Sequence, residues 1–294
     1  MTAAPLYACI EAGGTKFVAG LVASPDDVRE TARFPTTTPA ATLAAVTRWM
    51  ADAITRHGPV RAAGIASFGP LALDRGTPDW GHITATPKPG WAGTDLAGAI
   101  ASALAVPVGF DTDVNGAALA EARWGAGIGQ RIAVYATIGT GIGGGAVVAG
   151  QPLYGLSHPE MGHIRVSRHP GDTDFAGTCP FHGDCLEGLA SGPAIIMRWG
   201  MSLSELSADH PGQDIIAYYI AQLAINLQAM MEPGRIILGG GVMATPGLLE
   251  RVQRAAAWLG AGYFKGDVAK VIVAPGLGAR AGLLGALALA MDAT

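Results

Sequence analysis

Charge is what this chain has least of. Only 14% of its 294 residues are Asp, Glu, Lys or Arg, against about 25% in an average soluble domain. The few charges nearly balance, at a formal net −4, so the basic footprint of a nucleic-acid binder is missing. Sparse charge beside 50% hydrophobic residues is also the reverse of a disordered composition. Cysteine is scarce as well, and Cys9, Cys179 and Cys185 cannot build a disulfide framework. No basic leader followed by a long apolar stretch opens the chain, so no signal peptide is expected and a cytoplasmic protein is the expectation. A mean hydropathy of +0.33 raises the question of a membrane span. The best candidate, Ile132 to His158, carries no acid, Lys or Arg but holds seven glycines and Pro152. A spanning helix needs about 20 consistently apolar residues, so no membrane association is expected.

What the chain has in excess is glycine, 43 residues, about twice the usual share. No three-residue period exists, which excludes collagen. The length suits two domains of ordinary size or one large α/β unit, long enough to bury a sizeable core.

Leu6 to Ile10 and Phe17 to Val22 are short apolar runs around Glu11-Ala-Gly-Gly-Thr-Lys16, the pattern of a β-hairpin with a glycine tip. Helical spacing follows over Thr42 to Arg56, a buried strand over Val60 to Phe68 and a Pro/Gly/Trp loop over Thr77 to Gly93. Next come a helix over Asp95 to Leu104 with Thr94 or Asp95 as its cap, a strand over Val106 to Phe110 and an Ala-rich helix over Val114 to Gly125. Then the opening returns: a strand from Ile132 to Ile138, a glycine turn from Gly139 to Gly144 and a strand from Gly145 to Val148. Such a repeat predicts two similar α/β halves, each opened by a glycine-tipped hairpin, with the tips lining a cleft. Helices are expected over Pro193–Trp199, Asp214–Met231, Thr245–Leu259 and Ala279–Met291, with strands over Arg235–Leu238 and Val268–Val273.

Glycine lets backbone N–H groups approach a ligand, and successive N–H groups make an anion-binding hollow. One such turn could be a plain hairpin. Two matching turns, each with a threonine (Thr15, Thr140), point to a nucleoside triphosphate. Gly139, Gly141 and Gly144 also satisfy G-x-G-x-x-G, but a dinucleotide site needs a helix next and an acid about 20 residues on. A strand follows instead, and no Walker sequence is present. Gly239-Gly-Gly241, after an apolar strand, suits a purine face or a ribose, or else a simple strand-to-helix turn.

Cys179-Pro-Phe-His182-Gly-Asp-Cys185 places three metal-ligating side chains at intervals of three on a backbone bent by Gly and Pro. Structural zinc takes four N or S ligands, and the fourth comes from His163, His158 or His169. Asp113 follows a strand and opens a helix, where open α/β sheets bind ligands. Asp111 is its neighbour, and either acid could simply cap that helix. Glu160 and Glu187 flank the Cys/His loop. Phosphoryl transfer to an alcohol needs a base on the hydroxyl and polar groups that hold it in line.

Glu11-Ala-Gly-Gly-Thr-Lys16, Asp111-Thr-Asp-Val-Asn115, Thr137-Ile-Gly-Thr-Gly-Ile-Gly-Gly144, Glu160-Met-Gly-His163 and the Gly177 to Glu187 segment stand in the order seen in sugar kinases of the ROK family. The chain resembles that family from about residue 6 to about residue 290. The Ser157 to His163 segment and the form of the Cys/His loop resemble its bacterial, zinc-containing fructokinases. The resemblance implies an actin/hexokinase-like (ribonuclease H-like) α/β fold of two domains, about 1–113 and 114–279, with the last helix, about 280–294, packing back on the first. It places ATP and sugar in the cleft between them and the zinc loop at about 163–187. It implies ATP, Mg²⁺ and a structural Zn²⁺, and transfer of the γ-phosphate to the 6-hydroxyl of a hexose, foremost fructose. Mannose, glucose or an N-acetylhexosamine are the alternatives. By position, Asp113 matches the catalytic base and Gly69, Pro70, Asn115, Glu160, His163 and Glu187 match sugar-side positions. Gly13, Gly14, Thr15 and Lys16 match the first phosphate motif. Thr137, Gly139, Thr140, Gly141, Gly143 and Gly144 match the second, and Gly239, Gly240 and Gly241 the adenosine motif. His163, Cys179, His182 and Cys185 match the zinc ligands. A homodimer is the family-level expectation. Two departures stand out: Glu11 replaces the family's usual Asp, and Thr112 stands where glucose-type members carry Asn. No helix-turn-helix precedes the first strand, which disfavours the repressor branch. A sugar-binding protein without catalysis would show a lost base or a damaged phosphate turn, and neither occurs.

Overall fold

Apolar runs too short for helices, broken by Gly and Asp, fold as strands, and the longer 3.6-period stretches between them fold as helices. The structure, a computed structural model, describes residues 4–294. The first three residues, on which the expected absence of a leader partly rests, lie outside the described residues. In chain order the elements are β1 (Leu6–Ala12), β2 (Lys16–Ser24), β3 (Asp27–Pro35), α1 (Pro39–His57), β4 (Val60–Ser67), α2 (Leu96–Leu104), β5 (Val108–Thr112) and α3 (Asp113–Trp124). There follow β6 (Ile132–Ile138), β7 (Ile142–Val148), β8 (Gln151–Pro152), α4 (Leu186–Ala190), α5 (Gly192–Trp199), α6 (Pro211–Met231), β9 (Arg235–Gly239), α7 (Leu248–Gly260), α8 (Val268–Val271), β10 (Ile272–Val273) and α9 (Ala281–Asp292).

The chain divides into two units: residues 4–120 with 154–158 and 279–294, and residues 121–153 with 159–278. Each is built on a five-stranded sheet. The first has the order β3-β2-β1-β4-β5, the second β8-β7-β6-β9-β10. In both, a three-strand antiparallel meander carries two further strands in parallel on its first strand. The internal repeat read from the glycine turns is thus a repeat of sheet topology.

In the first unit the central strand β1 is buried along nearly its whole length, which matches its unbroken apolar run. Trp91 fills the core between Phe17 and Phe68, and its indole N–H donates to the carbonyl of Thr37 at 2.8 Å. The last helix, α9, is apolar on every side and lies on β1, β4 and β5. It comes unusually close. A Cβ on Gly64 would stand 1.9 Å from the carbonyl oxygen of Ala286, and one on Gly109 would stand 2.0 Å from that of Leu289. Part of the glycine excess therefore serves backbone-to-backbone packing rather than ligands.

Four local readings are corrected. β3 was not foreseen, because Asp-Val-Arg-Glu-Thr-Ala-Arg is an exposed edge strand with no apolar face. The second glycine turn spans only Gly139 to Gly141, and Gly143 and Gly144 lie inside β7, paired with Thr137 and Ala136. Val268–Val273 is not one strand: Asp267 accepts from the N–H of Ala269 and caps the short helix α8, leaving only Ile272–Val273 extended. The short helix α4 lies in what reads as irregular sequence. No described helix is long and apolar enough to cross a membrane.

Candidate active site

The first unit places its acids where β5 ends and α3 begins. Strand alternation turns Asp111 into the interior, where it is fully buried. Its Oδ1 accepts from the N–H of Thr112 at 2.7 Å and from Nδ2 of Asn115 at 2.9 Å, and its Oδ2 accepts from the Tyr154 hydroxyl. Burial still pushes the Asp111 carboxyl above the ordinary carboxylate value, against the pull of those three donors. Thr112 takes the capping role, since its hydroxyl accepts from the N–H of Asn115 at 3.1 Å. The Asp113 carboxylate accepts from the adjacent N–H of Val114 at 2.9 Å and from its own backbone N–H. Burial pushes its carboxyl up to about 7, and the charge of Glu11 nearby adds to the rise.

Glu11 ends β1 on the same side. Burial raises its pKa, opposed by Lys16 and Arg33. A Cβ on Gly282 of α9 would stand 2.3 Å from the Glu11 carboxyl carbon, so a larger residue there would push that carboxylate from its present place. The adjoining turn is held from behind: Thr36 donates its N–H to the Thr15 carbonyl at 2.9 Å and its hydroxyl to the Gly13 carbonyl at 2.7 Å. Gly14, Thr15 and Lys16 are exposed, and nothing stands within 4 Å of a Cβ on Gly14. Gly69 and Pro70 follow β4, joined by a cis peptide bond, and the His158 imidazole packs beside Gly69. Asn115 is fully buried: its Nδ2 donates to Asp111 Oδ1 and so braces the neighbouring acid, while its buried Oδ1 has no hydrogen-bond partner among the described residues.

The second unit assembles the other motifs around its own hairpin tip. The Gly139 N–H donates to the Gly141 carbonyl at 2.9 Å, and the Gly192 N–H at the start of α5 donates to the Gly139 carbonyl at 2.7 Å. Gly139 lies against the backbone of Gly241, and Gly240 takes a positive φ of 93° that favours glycine. Thr140 is exposed at the tip, while Thr137 is half-buried in β6. Gly144 is filled from above by Met161, whose Sδ would stand 2.5 Å from a Cβ there, so this glycine makes room for packing. Glu187 on α4 accepts the Ile142 N–H at 2.8 Å, which ties the Cys/His loop to the second glycine hairpin.

His163 closes a 3-10 turn, Met161–His163, that begins beside Glu160. Its Nδ1 lies 3.7 Å from Sγ of Cys179 and 3.5 Å from Sγ of Cys185, and His182 Nδ1 lies 3.7 Å from Cys179 Sγ. The four donor atoms fall within 4.8 Å of one another. Tetrahedral N/S coordination at the usual bond lengths puts neighbouring donors ~3.6 Å apart. His169 is elsewhere, accepting from the Gly171 N–H and packing on Tyr218, and His158 belongs to the first unit. The choice left open by spacing falls to His163.

Sequence reasoning missed Tyr154, Gly282 and Glu121. Glu121 is fully buried and accepts from the N–H groups of Ala126, Gly276 and Leu277. None of the three sits in a recognisable local motif.

Two α/β units of one topology, each with a glycine-tipped hairpin, and a raised-pKa acid at a strand end define an actin/hexokinase-like phosphotransferase. The chain belongs to the ROK family, whose sequence model matches residues 7–293. It is 50% identical over 292 residues to a fructokinase of Zymomonas mobilis, covering 98% of this chain and 97% of that protein. A ROK hexokinase structure from Thermus thermophilus superposes with a TM-score of 0.79 at 28% identity over 98% of each chain. A ROK glucokinase from Streptomyces griseus, solved with glucose and AMPPNP, gives a TM-score of 0.76 at 26% identity, covering 98% of this chain and 99% of that one.

Proposed function

We propose that this chain is an ATP-dependent fructokinase that forms D-fructose 6-phosphate by direct in-line transfer. The observation that carries the reading is Asp113: a carboxyl pushed up to about 7, held by backbone N–H groups alone among the described residues, in a chain 50% identical to a fructokinase over 292 residues. A general base works best when its pKa lies near the operating pH. Ionised Asp113 takes the proton from the sugar O6 as that oxygen bonds to the γ-phosphorus, while the bond to the bridging oxygen breaks and ADP leaves. Gly69, Pro70, Asn115, Glu160, His163 and Glu187 are assigned to the sugar. The exposed backbone of Gly13 to Lys16 and of Gly139 to Gly141, with Gly239 to Gly241, is assigned to the nucleotide.

Mg²⁺ fits Glu11, a carboxylate held beside both Asp113 and the first glycine turn, where a cation relieves the repulsion between the two acids. When bound, it neutralises phosphate charge. Zn²⁺ fits the His163, Cys179, His182 and Cys185 set. With four protein donors it has no open position and serves to hold the loop that carries Glu187. A cytoplasmic homodimer completes the reading on the family resemblance.

The second reading is a ROK kinase for another hexose, favoured by the likeness to the glucose-bound glucokinase. Thr112 in place of the glucose-type Asn supports fructose instead. Sugar-dependent ADP release over a panel of fructose, mannose, glucose and N-acetylmannosamine tests the choice. Fructose is expected to lead in kcat/KM by at least about tenfold, and a higher value for any other sugar refutes the assignment.

A further inference from the structure

The short segment between β8 and Glu160 carries two residues, Tyr154 and His158, to which no role has been given. Residues 154–158 group with the first unit although the chain on both sides belongs to the second. The segment is not core: Tyr154 is 50% exposed and Leu156 wholly exposed. Yet it is fixed at three points. The Tyr154 hydroxyl donates to Oδ2 of the fully buried Asp111. The Gly155 N–H donates to the Ser157 carbonyl at 2.9 Å, which bends the chain. The His158 imidazole then comes to rest beside Gly69, with Nε2 3.6 Å from the position a Cβ there would occupy.

Asp111 is two residues before Asp113 and joined to it through Thr112. Its carboxylate spends Oδ1 on the Thr112 N–H and on Asn115, which fixes the start of α3. The Tyr154 bond to Oδ2 prevents the carboxylate from turning, so a residue from the segment sets the backbone that presents Asp113. His158, half-buried beside the Gly69–Pro70 corner, adds an imidazole at the position assigned to the sugar. A neutral or charged imidazole donates a hydrogen bond to a sugar hydroxyl.

We infer that Tyr154–His158 is a sugar-positioning strap: Tyr154 is a positioning residue that locks Asp111 and through it Asp113, and His158 is a sugar-contacting, specificity-determining residue. The inference rests on the kinase reading of the site and goes beyond it.

The test is steady-state kinetics with D-fructose and MgATP on the full-length chain. Tyr154→Phe removes one hydroxyl and keeps the ring. It is expected to lower kcat about tenfold and the melting temperature by a few degrees, while the KM for ATP stays at its wild-type value. If the ring alone mattered, Phe would restore what Tyr154→Leu loses; the expectation is that Phe and Leu lose kcat alike. His158→Ala is expected to raise the KM for fructose about tenfold and leave that for ATP unchanged. His158→Gln gives the same comparison with more of the side-chain bulk retained, should Ala impair folding. The strap is overturned if Tyr154→Phe keeps kcat within twofold of wild type, or if both His158 variants keep the KM for fructose within twofold. Wild-type protein inactive on fructose but active on another hexose would remove the fructokinase assignment alone, and the strap would then be measured on that hexose.

Discussion

Replacing Asp113 by Asn separates its charge from its shape. The amide oxygen can still accept the Val114 N–H, so the start of α3 is kept. The base is lost, and base catalysis is typically worth about 10² to 10⁴-fold, or about 2.7 to 5.4 kcal/mol of barrier at ~1.36 kcal/mol per decade. Asp113→Asn should therefore lower kcat at least about 10²-fold in a coupled ADP assay, with ATP binding by calorimetry unchanged. In the wild type, kcat/KM should rise with pH on its acid side and reach half its plateau near the value of about 7 that burial imposes on the free protein. The same shift affects stability. A carboxyl whose folded pKa is raised contributes stability that is present below its unfolded value, near 3.9, and is lost as pH rises through the folded one. The gap of about three units sets an upper bound of ~4 kcal/mol. Partial exposure of Asp113 brings the figure to about 1–2 kcal/mol. Asp113→Asn should thus melt a few degrees above wild type at pH 8 and level with it near pH 4. Near-normal turnover in the variant, or a wild-type acid limb centred below pH 5, would refute the reasoning.

Glu11→Gln removes a charge that raises Asp113, so whatever turnover remains should show its acid limb at lower pH; an unmoved limb counts against the pairing. Gly282→Ala drives a methyl into the Glu11 carboxylate and should lower kcat at least tenfold in the same assay. Metal analysis should find about one zinc per chain, lost in the Cys179→Ser/Cys185→Ser double variant together with several degrees of melting temperature. Glu121→Ala strands three backbone N–H groups and should destabilise the second unit by at least about 3 kcal/mol in urea unfolding, a bond to a charged acceptor being worth about 1.5–3 kcal/mol.

The hairpins were legible because an apolar run on each side of a Gly-rich turn admits few other shapes. The metal set was legible for a similar reason, as three of its donors lie within seven residues of one bent loop. β3 was not, because an exposed edge strand shows no apolar alternation. Val268 to Val273 read as a strand on β-branched content, but Asp267 caps it into a helical turn first. Contacts over long separations left no trace in the sequence: Tyr154 meets Asp111 across 43 residues and Glu121 meets Gly276 across 155. The motif position of Asn115 likewise carries no sign of the bond from its Nδ2 to Asp111. The glycine excess shows both sides. Its turns could be read locally, whereas Gly64 and Gly109 are explained only by the helix lying on them.

Phosphorus NMR of the product formed from D-fructose and MgATP tests the central claim most directly. The account predicts a single new phosphomonoester, fructose 6-phosphate, formed in step with ADP and abolished by Asp113→Asn. Fructose 1-phosphate, or ATP hydrolysis with no sugar phosphate, would contradict it.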